Sequence, residues 1–143
     1  GGMLTSINDN GDRVYELFEP SETLATGDVL SLEEKFLAGE GQNITPARFG
    51  KTTEENKRVS EKVRKDLEKV AEILNIEGYA RIDAFVRIYE DGKVETIIIE
   101  INSLPGMTPA TCIFHQSAIN GYKPYEFIDA ILTYGMQRQK LIA

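Results

Sequence analysis

A single cysteine, a single histidine, a shortage of basic residues and the absence of any long apolar run set the first limits on this chain of 143 residues. Cys112 alone cannot form an internal disulfide, so a reducing cytoplasm is the expected compartment. His115 has no visible partner for a nucleophilic triad and reads as structural, or as the neighbour of a pocket. Sixteen Lys and Arg against 23 Asp and Glu leave a net charge of −7, the wrong sign for binding a nucleic-acid backbone. No apolar stretch approaches the roughly 20 residues that span a bilayer, and no signal peptide is expected ahead of the first strand. Internal repeats and low-complexity segments are missing too. The remainder, 41% hydrophobic and 27% charged, has the balance of one globular domain, or a piece of one, large enough to bury a core.

Taken in order, Leu4–Ile7 and Arg13–Phe18 flank Asn8-Asp9-Asn10-Gly11 and read as a β-hairpin stopped by Pro20. The Gly1-Gly2 start has the composition of an expression scar. Ser21 to Gly27 reads as a polar connection and Val29 to Phe36 as a strand. From about 37 to 50, Gly39, Gly41, Pro46 and Gly50 interrupt regular structure; a loop of this length is either functional or simple disorder. Thr52 and Glu55 then offer a capping box, and Val59, Val63, Leu67, Val70, Ala71 and Leu74 recur at helical spacing. Lys57, Arg58, Lys62, Lys65 and Lys69 fall mostly on the solvated side of that helix. A short helix over Thr111–Asn120 closes on Gly121. Pro124 opens a last helix, with Phe127, Ile128, Ile131, Leu132 and Met136 expected to face inward. Strands, a helix, a hairpin and more helices make an α+β fold, a mainly antiparallel sheet with packed helices.

The most informative stretch is the second hairpin, Arg81–Ile88 and Ile97–Asn102 around Glu90-Asp91-Gly92-Lys93. With Asp91-Gly92 as a two-residue turn, Asp83 lies opposite Glu100 and Arg81 opposite Asn102. Side chains alternate between faces. One face then carries Ile82, Ala84, Val86, Ile88, Ile97, Ile99 and Ile101; the other carries Arg81, Asp83, Glu100 and Asn102, with Phe85 and Ile98 beyond them. An odd-length loop would slip this pairing by one residue. Two carboxylates about 5 Å apart repel by roughly 3 kcal/mol at an effective dielectric near 20, so something must compensate them. Either a cation sits between them, with the Asn102 amide oxygen completing a set that suits Mg²⁺ or Mn²⁺, or one carboxyl is protonated for acid–base work, or Arg81 and Arg87 neutralise a merely solvated face.

The residues after the second strand go further. Ala80-Arg81-Ile82-Asp83, followed by Ile99-Glu100-Ile101-Asn102-Ser103-Leu104-Pro105-Gly106-Met107-Thr108, resembles the C-terminal half of the ATP-grasp domain of D-alanine–D-alanine ligases. Leu32 to Glu40 and Ile44-Thr45-Pro46-Ala47 resemble the family's preceding loop. The resemblance implies an ATP-grasp C-terminal subdomain covering residues 1–143, a fragment of a larger enzyme, with residues 37–50 as a mobile loop over the active site. It implies an ATP-dependent carboxylate–amine ligase of peptidoglycan biosynthesis working through an acyl phosphate, with ATP and Mg²⁺ (or Mn²⁺) as cofactors.

Carried over residue by residue, the resemblance gives Asp83, Glu100 and Asn102 the metal ions. Arg81, with the backbone N–H near Gly106, would stabilise the tetrahedral intermediate. Lys35 would contact the ATP phosphates. Thr111 and Cys112 would bind the carboxylate of the second substrate, with Phe36 on the loop beside it. Phe36 stands where many dipeptide-forming members have Tyr, which opens the acceptor to hydroxy acids as well as amino acids. The expected partners are ATP, D-alanine or a similar small molecule, the remainder of the parent chain and, as an open option, a second copy in a homodimer. A piece lacking the N-terminal substrate domain and the ATP-clamping lysines would not complete a catalytic cycle. Two further readings stay open: an ATP-grasp ligase for other substrates, and a non-catalytic ATP-grasp-like binding domain.

Overall fold

Hairpins supply the frame of the molecule. The computed structural model describes residues 1–24 and 43–142; the strand expected at Val29–Phe36 and residues 37–42 of the expected loop lie outside them. Strand β1 (Gly2–Ile7) pairs antiparallel with β2 (Arg13–Leu17). A two-residue ladder then joins β3 (Glu22–Thr23) to β4 (Asn43–Ile44), where the sequence suggested only a polar connection and a loop. Strands β5 (Tyr79–Ile88) and β6 (Val94–Asn102) form the second hairpin, and β1 bridges the two in a four-stranded antiparallel sheet of order β2-β1-β5-β6. Gly2 is no spare residue: it stands in β1 opposite Arg81 of β5.

The two hairpins turn the same way. Asn8 N–H donates to the Asp12 carbonyl and Gly11 N–H to the Asn8 carbonyl. In the second hairpin Tyr89 N–H donates to the Lys93 carbonyl and Gly92 N–H to the Tyr89 carbonyl, all four bonds at 2.9 Å. Gly11 and Gly92 have φ of +86° and +83°, the left-handed conformation that glycine enters without steric cost. Both are three-residue loops ending in a left-handed glycine, not the two-residue turn expected from Asp91-Gly92.

Helix α1 (Thr53–Ile73) starts with the expected capping box of Thr52 and Glu55. It lays Val59, Val63, Leu67 and Ala71 on one face of the sheet, against Met3, Leu17, Ala80, Ile82 and Val94. Leu74, expected inside, is 55% exposed. It is already the C-cap, and the chain turns away at Asn75, φ +50°. The opposite face receives α2 (Cys112–Ile119) and α3 (Pro124–Ile142), whose Ile113 and Phe127 pack with Leu4 and Phe18. Phe127 meets Phe18, Tyr79, Phe114 and Tyr122 edge to face at centroid distances of 5.6–6.4 Å. The inner stripe of α3 is Phe127, Ala130, Ile131 and Tyr134, at helical steps of three and four. Leu132 and Met136, expected inside, fall on the far side of that stripe and are exposed. Because α2 and α3 cover this second face only over β1 and the start of β5, nothing among the described residues covers the outer half of the β5–β6 hairpin.

Candidate active site

The bare half of that face carries the polar cluster. Arg81 pairs with Asn102, Ile82 with Ile101 and Asp83 with Glu100; then the register shifts, and Ala84 pairs with Ile98 and Phe85 with Ile97. Ile99 is the extra residue of a β-bulge. An odd loop alone would have put Ile99 opposite Asp83; the bulge absorbs it and restores the pairing. The two carboxylates therefore face each other as the sequence implied. The apolar face differs from expectation for the same reason. Ile98 points into the α1 core, while Ile97 and Ile99 stand exposed beside Phe85 on the site's own face. Ile88, at the hairpin tip, is also exposed.

Arg81 grips Asp83 bidentately: Nε donates to Oδ1 and Nη2 to Oδ2, each at 2.9 Å. This fork-to-fork bond is the main reason the guanidinium titrates above its usual range, against the opposing effect of its own partial burial. Asn102 Nδ2 donates to Glu100 Oε1 at 3.3 Å and reaches Asp83 Oδ2 at 3.5 Å, so an amide nitrogen stands between the two carboxylates. Arg87 takes no part, pairing with Glu95 at 3.3 Å. The repulsion is thus answered from one side by Arg81 and from between by a neutral donor.

That donor set fits a hard divalent cation. Asparagine oxygen and nitrogen exchange places by a turn of the carboxamide, which presents Oδ1 together with the Asp83 and Glu100 oxygens, the ligand type Mg²⁺ and Mn²⁺ take. Among the described residues no group of three or more His, Cys, Asp or Glu gathers to hold a metal. Two carboxylates and one amide would leave a cation dependent on water or ligand oxygens for its remaining positions.

Beyond β6 the chain turns over buried Pro105, and Gly106 lies beside the start of α2. A Cβ on Gly106 would stand 3.5 Å from the Thr111 methyl, an ordinary contact. Thr111 is the N-cap residue of α2, and its hydroxyl donates to the Thr108 carbonyl at 2.8 Å; the oxygen keeps its capacity to accept. Burial, the leading cause, pushes the Cys112 thiol up, while the charge of Arg81 and the hydroxyl of Ser21 pull the other way. Gln116, one turn further along α2, accepts from the N–H of Gly2, which stands opposite Arg81, so α2 lies over the strand next to Arg81. Arg81, Asp83, Glu100 and Asn102 thus share one patch with the α2 start beside it. Lys35 and Phe36 lie outside the described residues. His115 is exposed on α2. The sequence reading passed over Gln116, a buried amide one helical turn after Cys112; a glutamine inside the apolar run Cys-Ile-Phe-His-Gln was the available signal.

Residues 3–133 match the family model described as D-ala D-ala ligase C-terminus. The chain is 30% identical over 123 residues to the D-alanine–D-alanine ligase of Chlorobaculum tepidum, covering 86% of this chain and 31% of that protein. It is 31% identical over 125 residues to D-alanine–D-alanine ligase B of Clostridium perfringens, covering 87% and 37%. Its fold is like that of D-alanyl-alanine synthetase A from Vibrio cholerae, with a TM-score of 0.55 at 21% identity over 93% of this chain and 38% of that one. It spans about a third of the length of these relatives. With its hairpin, capped helix and Glu-x-Asn strand in place, the chain belongs to the D-Ala–D-Ala ligase C-terminal family.

Proposed function

We propose that this chain forms the catalytic C-terminal part of an ATP-dependent carboxylate–amine ligase joining two D-alanines, or D-alanine and a close analogue. The observation that carries the reading is the bulged register of β5 and β6, which sets Asp83 against Glu100 and Arg81 against Asn102 on one open face. A carboxylate oxygen attacks the terminal phosphorus of ATP and ADP departs. The amine then attacks the acyl carbon of the acyl phosphate, inorganic phosphate leaves, and the amine sheds a proton.

Asp83, Glu100 and Asn102 would hold Mg²⁺ or Mn²⁺, whose chemistry is to neutralise phosphate charge during transfer. Arg81, fixed in orientation by Asp83, keeps a permanent positive charge over the place where negative charge develops on the acyl oxygen. The N–H of Gly106 adds a neutral donor there. The first turn of α2 presents the Thr111 oxygen and, by helix geometry, unpaired amides to the carboxylate of the acceptor. Lys35 and Phe36 belong to the same proposal, as phosphate contact and acceptor-side loop residue. A cytoplasmic location and a role in peptidoglycan synthesis follow from the same assignment. No helix among the described residues is long and apolar enough to cross a membrane.

The test is steady-state ligation by the full-length protein with ATP, Mg²⁺ and D-alanine. Glu100→Gln is expected to lower kcat by about 100-fold or more while the protein stays folded. A wild type that releases no ADP in the presence of carboxylate and amine, or a fully active Glu100→Gln, would refute the reading.

A further inference from the structure

We propose that Gln116 is a positioning residue for the acceptor end of this site, holding the first turn of α2 against the part of the sheet that carries Arg81. The proposal rests on the reading above, in which Thr111 and Cys112 receive the second substrate. Gln116 is 2% exposed, a depth at which an amide must satisfy both its ends or cost stability. Both ends are satisfied. Oε1 accepts from the N–H of Gly2 at 2.7 Å, and Gly2 is the residue of β1 that faces Arg81. Nε2 donates to Ser21 Oγ at 2.9 Å, and the hydroxyls of Ser21 and Thr45 share a bond of 2.5 Å.

The contact with β1 is close enough to dictate sequence. A Cβ on Gly2 would come within 2.5 Å of Gln116 Oε1 and 3.0 Å of the Ile113 Cγ1, so only glycine lets the amide reach the backbone. The two ends of the amide differ in kind: one needs a donor, the other an acceptor. Sliding α2 by one residue would lose both partners, a penalty that an apolar side chain at this position would not impose. Cys112 lies one turn earlier on the same side of α2, near Arg81 and Ser21. A single buried side chain therefore ties the strand beside Arg81, the start of α2 and the Ser21–Thr45 pair that flanks the β3–β4 ladder.

Gln116→Met keeps the volume and removes both bonds. In the full-length protein the acceptor KM is expected to rise about tenfold while the ATP KM stays within twofold. An unchanged acceptor KM in a folded variant, or equal rises in both, would overturn the proposal. Should Gln116→Met fail to fold, Ser21→Ala leaves the Gly2 bond in place and carries the same test. A several-fold rise confined to the acceptor KM supports the proposal and no such split overturns it. Failure of the ligase reading looks different, since the wild type then releases no ADP. In that case the fixing of α2 is read from the alkylation rate of Cys112 in Gln116→Met, or in Gln116→Leu should that variant fail to fold, since Ser21 touches the thiol directly: a rate altered at an unchanged melting temperature supports it, and an unaltered rate overturns it.

Discussion

Ile99 has no partner of its own in β5, and Glu100 stands opposite Asp83 because the ladder bulges around it. The isoleucines on either side of the shift have opposite surroundings. Ile98 packs against the α1 core, while Ile99 is 52% exposed. Ile98→Ala is therefore expected to cost about 2 kcal/mol and Ile99→Ala less than about 0.5 kcal/mol. Urea unfolding of both variants measures the difference. The reverse order would mean the register of a two-residue Asp91-Gly92 turn, with Ile99 opposite Ala84 and inside.

A divalent cation should stabilise this chain only weakly, since Arg81 already occupies both Asp83 oxygens and three protein ligands are few. Millimolar Mn²⁺ is expected to raise the melting temperature by about a degree or two. Glu100→Gln should abolish the rise, and ATP alone should add almost nothing. A Mn²⁺ effect that survives Glu100→Gln would place the ion elsewhere.

Gly106 separates fold from chemistry. Its backbone does not need glycine, and among the described residues a methyl group would meet only the Thr111 side chain, at van der Waals distance. Gly106→Ala should melt like the wild type, yet lose about tenfold or more in kcat of the full-length protein because the methyl crowds the oxyanion side. A destabilised variant with normal kcat would reverse that assignment.

Tyr122 carries an alkaline signature. Burial and then its 2.6 Å hydrogen bond to Glu16 push the phenol up to about 12, above the value of about 10 expected in the unfolded chain. The neutral phenol is favoured by folding. Its contribution is complete below pH ~10 and drains away as pH rises through ~12. Melting temperatures from pH 8 to 12 should fall less steeply for Tyr122→Phe than for the wild type, although the variant starts lower at neutral pH. Equal slopes would show that the phenol ionises as freely in the folded state as in the unfolded one.

What could be read from the sequence was whatever local chemistry determines. The capping box at Thr52 and Glu55, the glycine ends of turns and the stripe of α1 all depend on residues a few positions apart, and each is where the sequence placed it, save for Leu74 at the end of the stripe. The pairing of Asp83 with Glu100 was legible too, though by cancellation. Asp-Gly serves two-residue turns and three-residue loops alike, and a bulge leaves no mark of its own in a run of isoleucines. The sequence reading missed both irregularities, and for the site residues their effects offset each other; for Ile97, Ile98 and Ile99 they did not. Gln116 was illegible for another reason. Its partners, Gly2 and Ser21, lie 114 and 95 residues away, and no spacing rule reaches that far.

The hairpin also ties together two lengths that look independent on paper. An odd loop at residues 89–93 and one surplus residue in β6 keep the acids aligned jointly, and changing either alone changes the parity of the ladder. Over descent, a residue gained or lost at the hairpin tip should be accompanied by the opposite change just ahead of the Glu-x-Asn, or by loss of the bulge itself. Among kindred chains the insertions and deletions at these two places would then be inherited as a pair, a correlation in length where no individual residue need be kept.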